Sequence, residues 1–285
     1  MRKTFPVVVD QLMKKNKKVI CLLGDIGIFS FRNIFKKYKN RIHNMSTMEQ
    51  SMIGFGSGLS KVGFVPIIHT ITPFLILRAL EQIKIDFVYN KLACNIVTVG
   101  ASNDYPKLGT THHCFEDISI LSNFKSINLF IPSNAEEFSY LLKKNFNNNS
   151  VNYFRISEKK IVSSKMGNRY IKKKNKKNLI IIVGNSIDPK KIISNSFDIY
   201  YICSITNRIN YKFAIPYKKI IIIEPYFGNI LERLIRKKNP NKEIYTIGYD
   251  ETIIYKYGTK EEQDNHLSFD DKSILKKIKK YENKI

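Results

Sequence analysis

The stretch "KVICLLGDIG", residues 18–27, decides the fold. Its first half is a continuous apolar run, Val19 to Leu23, with no polar alternation. Such a run is what a parallel strand covered on both faces needs. Two glycines then bracket Asp25, and a tight turn at a strand's carboxyl end is where doubly wound sheets receive ligands. The same pattern repeats outward. "VPIIHT" (65–70), "NIVTVGA" (95–101) and "INLFIPS" (127–133) read as further strands. Helical patterns fill the gaps over 5–15, 48–62, 75–90 and 135–144, and Ser133 with Glu136 reads as a capping box for the last of them. Strand–helix alternation of this kind predicts a doubly wound α/β domain.

A lysine-rich segment, "KMGNRYIKKKNKKN" (165–178), interrupts the alternation and reads as a linker or exposed excursion. The pattern then restarts. Strands are expected over 179–184, 198–205, 219–225 and 243–249, with helices over 228–238 and 268–281. The expected organisation is therefore two tandem α/β/α domains, residues 1–160 and 179–285, joined by a lysine-rich linker over 161–178. A length of 285 residues accommodates both.

Bulk properties exclude several classes. With 43% hydrophobic and 12% aromatic residues, the chain can fold without metal or disulfide staples. Cys21, Cys94, Cys114 and Cys203 are scattered, three of them in apolar runs, as expected of reduced thiols in a cytoplasmic protein. The N-terminus lacks the pattern of a signal peptide, and no apolar run is long enough to span a bilayer, so no membrane role is expected. The net charge of +24 raises nucleic-acid binding. Its lysines, however, are interleaved with Asn, Ile and Tyr, not with aromatics spaced to stack bases. A compositional bias accounts for them, and no nucleic-acid partner is expected.

Two further segments carry candidate chemistry. In "NMSTMEQSMIGFGSGLSKVG" (44–63), Ser46 and Glu49 fit an N-cap and its capping-box partner. Gly54, Gly56 and Gly58 each weaken a helix by about 1 kcal/mol, so something must approach that backbone closely. In "YPKLGTTHHCFEDISIL" (105–121), His112, His113, Cys114, Glu116 and Asp117 lack the helical or hairpin spacing of metal ligands, and no metal site is expected there. His112 on a loop reads either as a substrate-facing group or as an ordinary surface histidine.

Together these segments resemble the transketolases and the 1-deoxyxylulose-5-phosphate synthases. The pyrimidine-binding domain of that family has a Gly-Asp turn after a strand, a Glu on a glycine-rich helix start, an aromatic-containing segment and a G-x-T-H-[HQ] loop. Here these are Gly24–Asp25, Glu49–Gln50, "HTITPFLILRALEQIKID" and Gly109 to His113. The resemblance covers residues 2 to 158, and the second domain looks like the family's C-terminal domain. It implies thiamin diphosphate as cofactor. Glu49 would hydrogen-bond the cofactor's aminopyrimidine at N1′ and favour the imino tautomer that generates the ylid. Asp25 would help bind the cofactor, and Phe74 or a neighbour would pack on the pyrimidine. His112 would be catalytic beside the thiazolium and the substrate oxygen. His69, His113 and Asn103 are weaker substrate-side candidates.

The departures from the family pattern matter as well. Asn103–Asp104 stands where transketolases have His–Asp, and the loop offers Lys107 in place of an acidic residue. "YFRISEKK" places Arg155 out of register with the family's phosphate-binding arginine, which puts sugar-phosphate substrates in question. The chain has no G-D-G sequence, whereas the family holds diphosphate and Mg²⁺ through a G-D-G…N motif in a preceding domain. The resemblance therefore implies one subunit of a split enzyme that transfers a two-carbon ketol unit between sugar-type substrates. It would dimerise and be completed by two partner chains, a heterotetramer in which those partners bind the Mg²⁺. The alternatives are the β subunit of a 2-oxoacid dehydrogenase decarboxylase and a non-catalytic scaffolding subunit.

Overall fold

The computed structural model describes residues 1–159, 161, 166–206, 211–250 and 252–283. Apolar strand runs become two parallel-rich sheets, as the alternation predicts. Strands β1 (Val19–Leu23), β2 (Ile42–Asn44), β3 (Val65–Ile71), β4 (Cys94–Val99), β5 (Ile127–Phe130) and β6 (Val151–Arg155) belong to the first. In the second lie β7 (Arg169–Lys172), β8 (Asn178–Val183), β9 (Phe197–Ile202), β11 (Lys219–Phe227) and β12 (Glu243–Tyr249). The short β10 (Ser204–Ile205) follows β9 in the chain but pairs antiparallel with β5, so the first sheet runs β10-β5-β6-β4-β3-β1-β2. The second runs β12-β11-β8-β9-β7, all parallel except the β7–β9 edge. Every residue of β1, β4 and β6 is buried, as continuous apolar runs between two helix layers require.

Helices α1 (Thr4–Lys15), α2 (Ile28–Lys37), α3 (Glu49–Lys61), α4 (Thr72–Ile76), α5 (Leu80–Gln82), α6 (Asp117–Leu121) and α7 (Ala135–Asn145) flank the first sheet. Helices α8 (Ile230–Arg236), α9 (Lys260–His266) and α10 (Asp271–Glu282) belong to the second half. The core forms two layers, each continuous across both sheets. One joins Val97 and Phe154 to Ile180 and Ile221. The other joins Leu129 and Ile131 to Val183 and Ile202.

Several local expectations are corrected. The expected linker contains β7, whose Tyr170 packs edge-on to Tyr200 of β9 at 4.8 Å. Its residues 162–165 lie outside the described residues. The strand expected over 198–205 divides, because Cys203 separates β9 from β10 as the chain crosses to the other sheet. The helix expected over 75–90 is broken into α4, α5 and a π-helical turn, Ile83–Tyr89. Ser133 is not the cap of α7. Asn134 accepts from the Glu137 N–H at 2.9 Å, and Glu137 accepts from the Ser133 N–H at 2.9 Å, one residue later than expected. Ser46 does not cap α3 either. It sits at φ 56°, and Met48 precedes the helix with no side-chain cap. Of the three helix glycines, Gly56 needs its bare Cα: a Cβ there would come within 2.8 Å of Ile68 on β3. At Gly58 a Cβ would meet nothing within 4 Å. Strands β2 and β6 and helices α2, α6 and α9 have no counterpart in the expectations. In β6 the polar residues Asn152 and Arg155 break the apolar run, yet both are buried and bonded.

Candidate active site at the carboxyl edge of the first sheet

The chain enters the first sheet at β1, builds β2 on one side and returns to β3 on the other. The crevice at the carboxyl ends of β1 and β3 is thus a topological switch point, the place where such sheets bind ligands. The turn after β1 is tight: a Cβ on Gly24 would come within 2.8 Å of Thr70 on β3. Asp25 follows at φ 54°, and its N–H donates to Asn44 Oδ1 while Asn44 Nδ2 donates back to Asp25 Oδ1, each at 3.0 Å. That exchange joins the ends of β1 and β2.

Glu49 opens α3 and its side chain is 0% exposed. Its Oε2 accepts a 2.7 Å hydrogen bond from Arg78 Nη1, and its Oε1 is buried with no hydrogen-bond partner. A buried acceptor left unpaired is uncommon, and Glu49 shares that state with Asp117 Oδ1 and Glu224 Oε1. The Arg78 guanidinium lies 4.7 Å from the Phe74 ring centroid. On Phe74 the His112 ring packs edge-on at 5.0 Å. Glu49, Arg78, Phe74 and His112 therefore form one unbroken series of contacts across α3, α4 and the loop after β4. Gln50 adds a bond from its Nε2 to the Arg78 carbonyl, 3.2 Å, so the Glu49–Gln50 pair grips Arg78 at both ends. Arg78 was missed in the sequence. The sequence carries no local signal for it, since its partner Glu49 lies 29 residues away.

The His112 loop is positioned by the second half of the molecule. Thr110 Oγ1 donates to the Ile254 carbonyl at 2.7 Å, and a Cβ on Gly109, φ 74°, would come within 2.6 Å of the Tyr257 ring. The loop ends in a single 3₁₀ turn, Thr110–His112, where the His112 Nδ1 meets Thr111 Oγ1 at 3.0 Å. Partial burial lowers the pKa of His112, favouring the neutral imidazole, which both donates and accepts hydrogen bonds.

The remaining sequence candidates stand behind this face. His69 is 2% exposed, its Nδ1 donates to the Val97 carbonyl at 2.7 Å, and burial pushes its pKa down to about 4. It is a neutral core histidine packed on Phe5, with centroids 4.6 Å apart. His113 is 4% exposed, with its pKa lowered by burial. Asn103 is fully buried, donating to Asp264 and accepting from Lys260 of α9, each at 2.9 Å. These three residues, expected on the substrate side, are thus committed to the interior. Arg155 is buried too. It binds Asp117 at 2.8 Å and Ser102 at 2.7 Å, and Ser102 donates onward to the Pro225 carbonyl at 2.8 Å. It ties β6 to the second half and presents no free guanidinium to a phosphate. Among the described residues, no three His, Cys, Asp or Glu side chains come together as a metal ion would need.

Comparison with known proteins gives the family and the fold. Residues 1–162 match the pyrimidine-binding domain of transketolase. A protein from Rhodococcoides fascians, described as an uncharacterized 33.6 kDa protein in the fasciation locus, is 22% identical over 97% of this chain and 93% of its own length. One of the subunits of the apulose-4-phosphate transketolase of Actinobacillus succinogenes is 32% identical over 44% of this chain, a match that spans only 40% of that protein. Among solved structures, a split-gene transketolase described as an inactive β4 tetramer superimposes with a TM-score of 0.83 at 18% identity, covering 98% of this chain and 97% of that one. With the match extending over more than half of its length, the chain belongs to the transketolase pyrimidine-binding domain family.

Proposed function

We propose that this chain is one subunit of a split, thiamin-diphosphate-dependent transketolase-like enzyme that transfers a two-carbon ketol unit between sugar-type substrates. One observation carries the reading: in a chain of this family, Glu49 is linked through Arg78 to Phe74 and His112 at the switch point, with a buried, unpartnered oxygen on Glu49. That oxygen fits the ring nitrogen of an aminopyrimidine. When bound, the cofactor supplies a carbon nucleophile that no amino-acid side chain provides. Glu49 holds and exchanges the proton at the pyrimidine N1′. Phe74 offers a flat wall to the ring, and Asp25 lies at the same edge, after β1. His112, held by Thr110 and Thr111, hydrogen-bonds substrate oxygens as charge develops on them.

The diphosphate and Mg²⁺ belong, in this reading, to a partner chain with a G-D-G…N motif. Apolar side chains exposed around α3, among them Met48, Phe55 and Val62, favour association. A dimer of this chain flanked by two partner chains is the assembly proposed, working in the cytoplasm. The domains proposed, 1–160 and 179–285, would then act as a pyrimidine-binding unit and a support for the His112 loop. Calorimetry with thiamin diphosphate and Mg²⁺ tests the proposal. The chain alone should bind no tighter than millimolar, and the mixture with the partner should bind at micromolar or better. Micromolar binding by the lone chain refutes the split site.

A further inference from the structure

We infer that the Arg78 guanidinium occupies the seat of the aminopyrimidine ring, so that Arg78 must swing aside for the cofactor to load and its grip on Glu49 sets how readily the site fills. The inference rests on the reading of Glu49 and Phe74 as the pyrimidine contacts. Those contacts ask two things of a ligand: a flat π-face for Phe74 and an N–H for the Glu49 carboxylate. A guanidinium is planar, delocalised and rimmed with N–H donors. Arg78 meets both demands at once, with its Nη1 2.7 Å from Glu49 Oε2 and its Cζ 4.7 Å from the Phe74 ring centroid, while Glu49 Oε1, the oxygen read as the partner of the ring nitrogen, is buried and out of a ligand's reach in this arrangement.

Burial makes this contact an obstacle. The Glu49 side chain is 0% exposed, and the Arg78 side chain bound to it is 48% exposed. One turn further along α3, Met52 and Ile53 are both 0% exposed. Arg78 is the half-exposed side chain bound to that buried carboxylate, so a ligand coming to it from solvent meets Arg78 first. The backbone need not follow. The Gln50 side chain holds the Arg78 carbonyl at 3.2 Å, independently of where the guanidinium lies. A half-exposed ion pair is weak enough to be displaced by a ligand. A site whose binding-competent form must first be made binds with an affinity reduced by that preliminary step.

The test uses the full chain and the cofactor's free pyrimidine moiety, 4-amino-5-hydroxymethyl-2-methylpyrimidine, which needs no diphosphate site. Binding is followed by the NMR signal of the His112 ring, which packs on Phe74 and responds to a ring stacked there. Wild type, Arg78→Ala, Arg78→Met and Glu49→Gln are compared, each first shown to be folded by its thermal transition. Arg78→Ala and Arg78→Met should bind the pyrimidine roughly two- to fivefold more tightly than wild type, the range expected for releasing a partly exposed pair. Glu49→Gln should bind it more weakly. If both Arg78 variants bind no tighter while Glu49→Gln still weakens binding, Arg78 is a permanent support of Glu49 and the inference falls. If Glu49→Gln binds as wild type does, the reading of Glu49 itself fails. Absence of any shift in the Arg78 variants up to the solubility limit overturns the inference as well.

Discussion

Replacing Glu49 with glutamine separates the fold from the chemistry, because the structure gives each a different magnitude. Glutamine keeps the shape of the side chain, and its amide oxygen still accepts from Arg78 at the 2.7 Å contact. What is lost is the charge on that bond. Since the Arg78 side chain is 48% exposed, solvent screens the pair and the loss amounts to about 1 kcal/mol or less. For a protein of this size that lowers the thermal midpoint by roughly 2–4 °C. The effect on turnover should be far larger. A group that holds and exchanges a proton in the reaction contributes on the order of 10²- to 10⁴-fold. Steady-state kinetics of the complex with the partner chain, at saturating cofactor, read the second effect, and calorimetric melting reads the first. The expected result is a modest shift in midpoint with kcat reduced at least a hundredfold. A kcat within about threefold of wild type refutes the role of Glu49. A collapse of the midpoint by more than about 10 °C would mean that the carboxylate supports the fold, against the screening argument.

Other predictions follow from the same geometry. His112→Ala should depress kcat far more than cofactor affinity, since the ring touches the cofactor wall only through Phe74; a large shift in the cofactor titration with normal kcat would assign His112 to cofactor placement instead. Burial pushes the Glu224 carboxyl up to about 7 from an ordinary 4.5, so its contribution is fully present below pH 4.5 and is lost as the pH rises through 7. Glu224→Gln should therefore stabilise the protein at pH 8 by up to about 3 kcal/mol and leave it unchanged below pH 4.5; equal urea midpoints for the two proteins at pH 8 would refute this. If the +24 charge is compositional, DNA binding should be weak, sequence-independent and gone near physiological salt, as a fluorescence titration at two salt concentrations would read.

The legibility of this chain varied with the range of the interactions involved. Strands β1 and β8 were legible because a parallel strand covered on both faces leaves an almost unbroken apolar run, and β3, β4, β11 and β12 because only a few polar residues interrupt theirs. Strand β6 was not, because Asn152 and Arg155 are made tolerable there by Asn95 and Asp117, which lie 57 and 38 residues away. Strand β7 was hidden in a lysine-rich segment, since an edge strand needs only one paired side.

At the site, the sequence by itself determined which residue types were present and in what order: a glycine turn, a glutamate at a glycine-rich helix start, an aromatic and a histidine loop. Tertiary structure decided what each of them does. Glu49 and His69 both read as plausible active-site groups, yet Glu49 keeps an unpaired oxygen at the switch point and His69 is sealed against Val97. Asn103 and Arg155 read as departures from the family pattern, and they are buried ties between the two halves of the molecule. Burial and hydrogen bonding depend on neighbours far along the chain. Arg78 reaches Glu49 across 29 residues, and no local pattern in the sequence records which carboxylate a given arginine will meet.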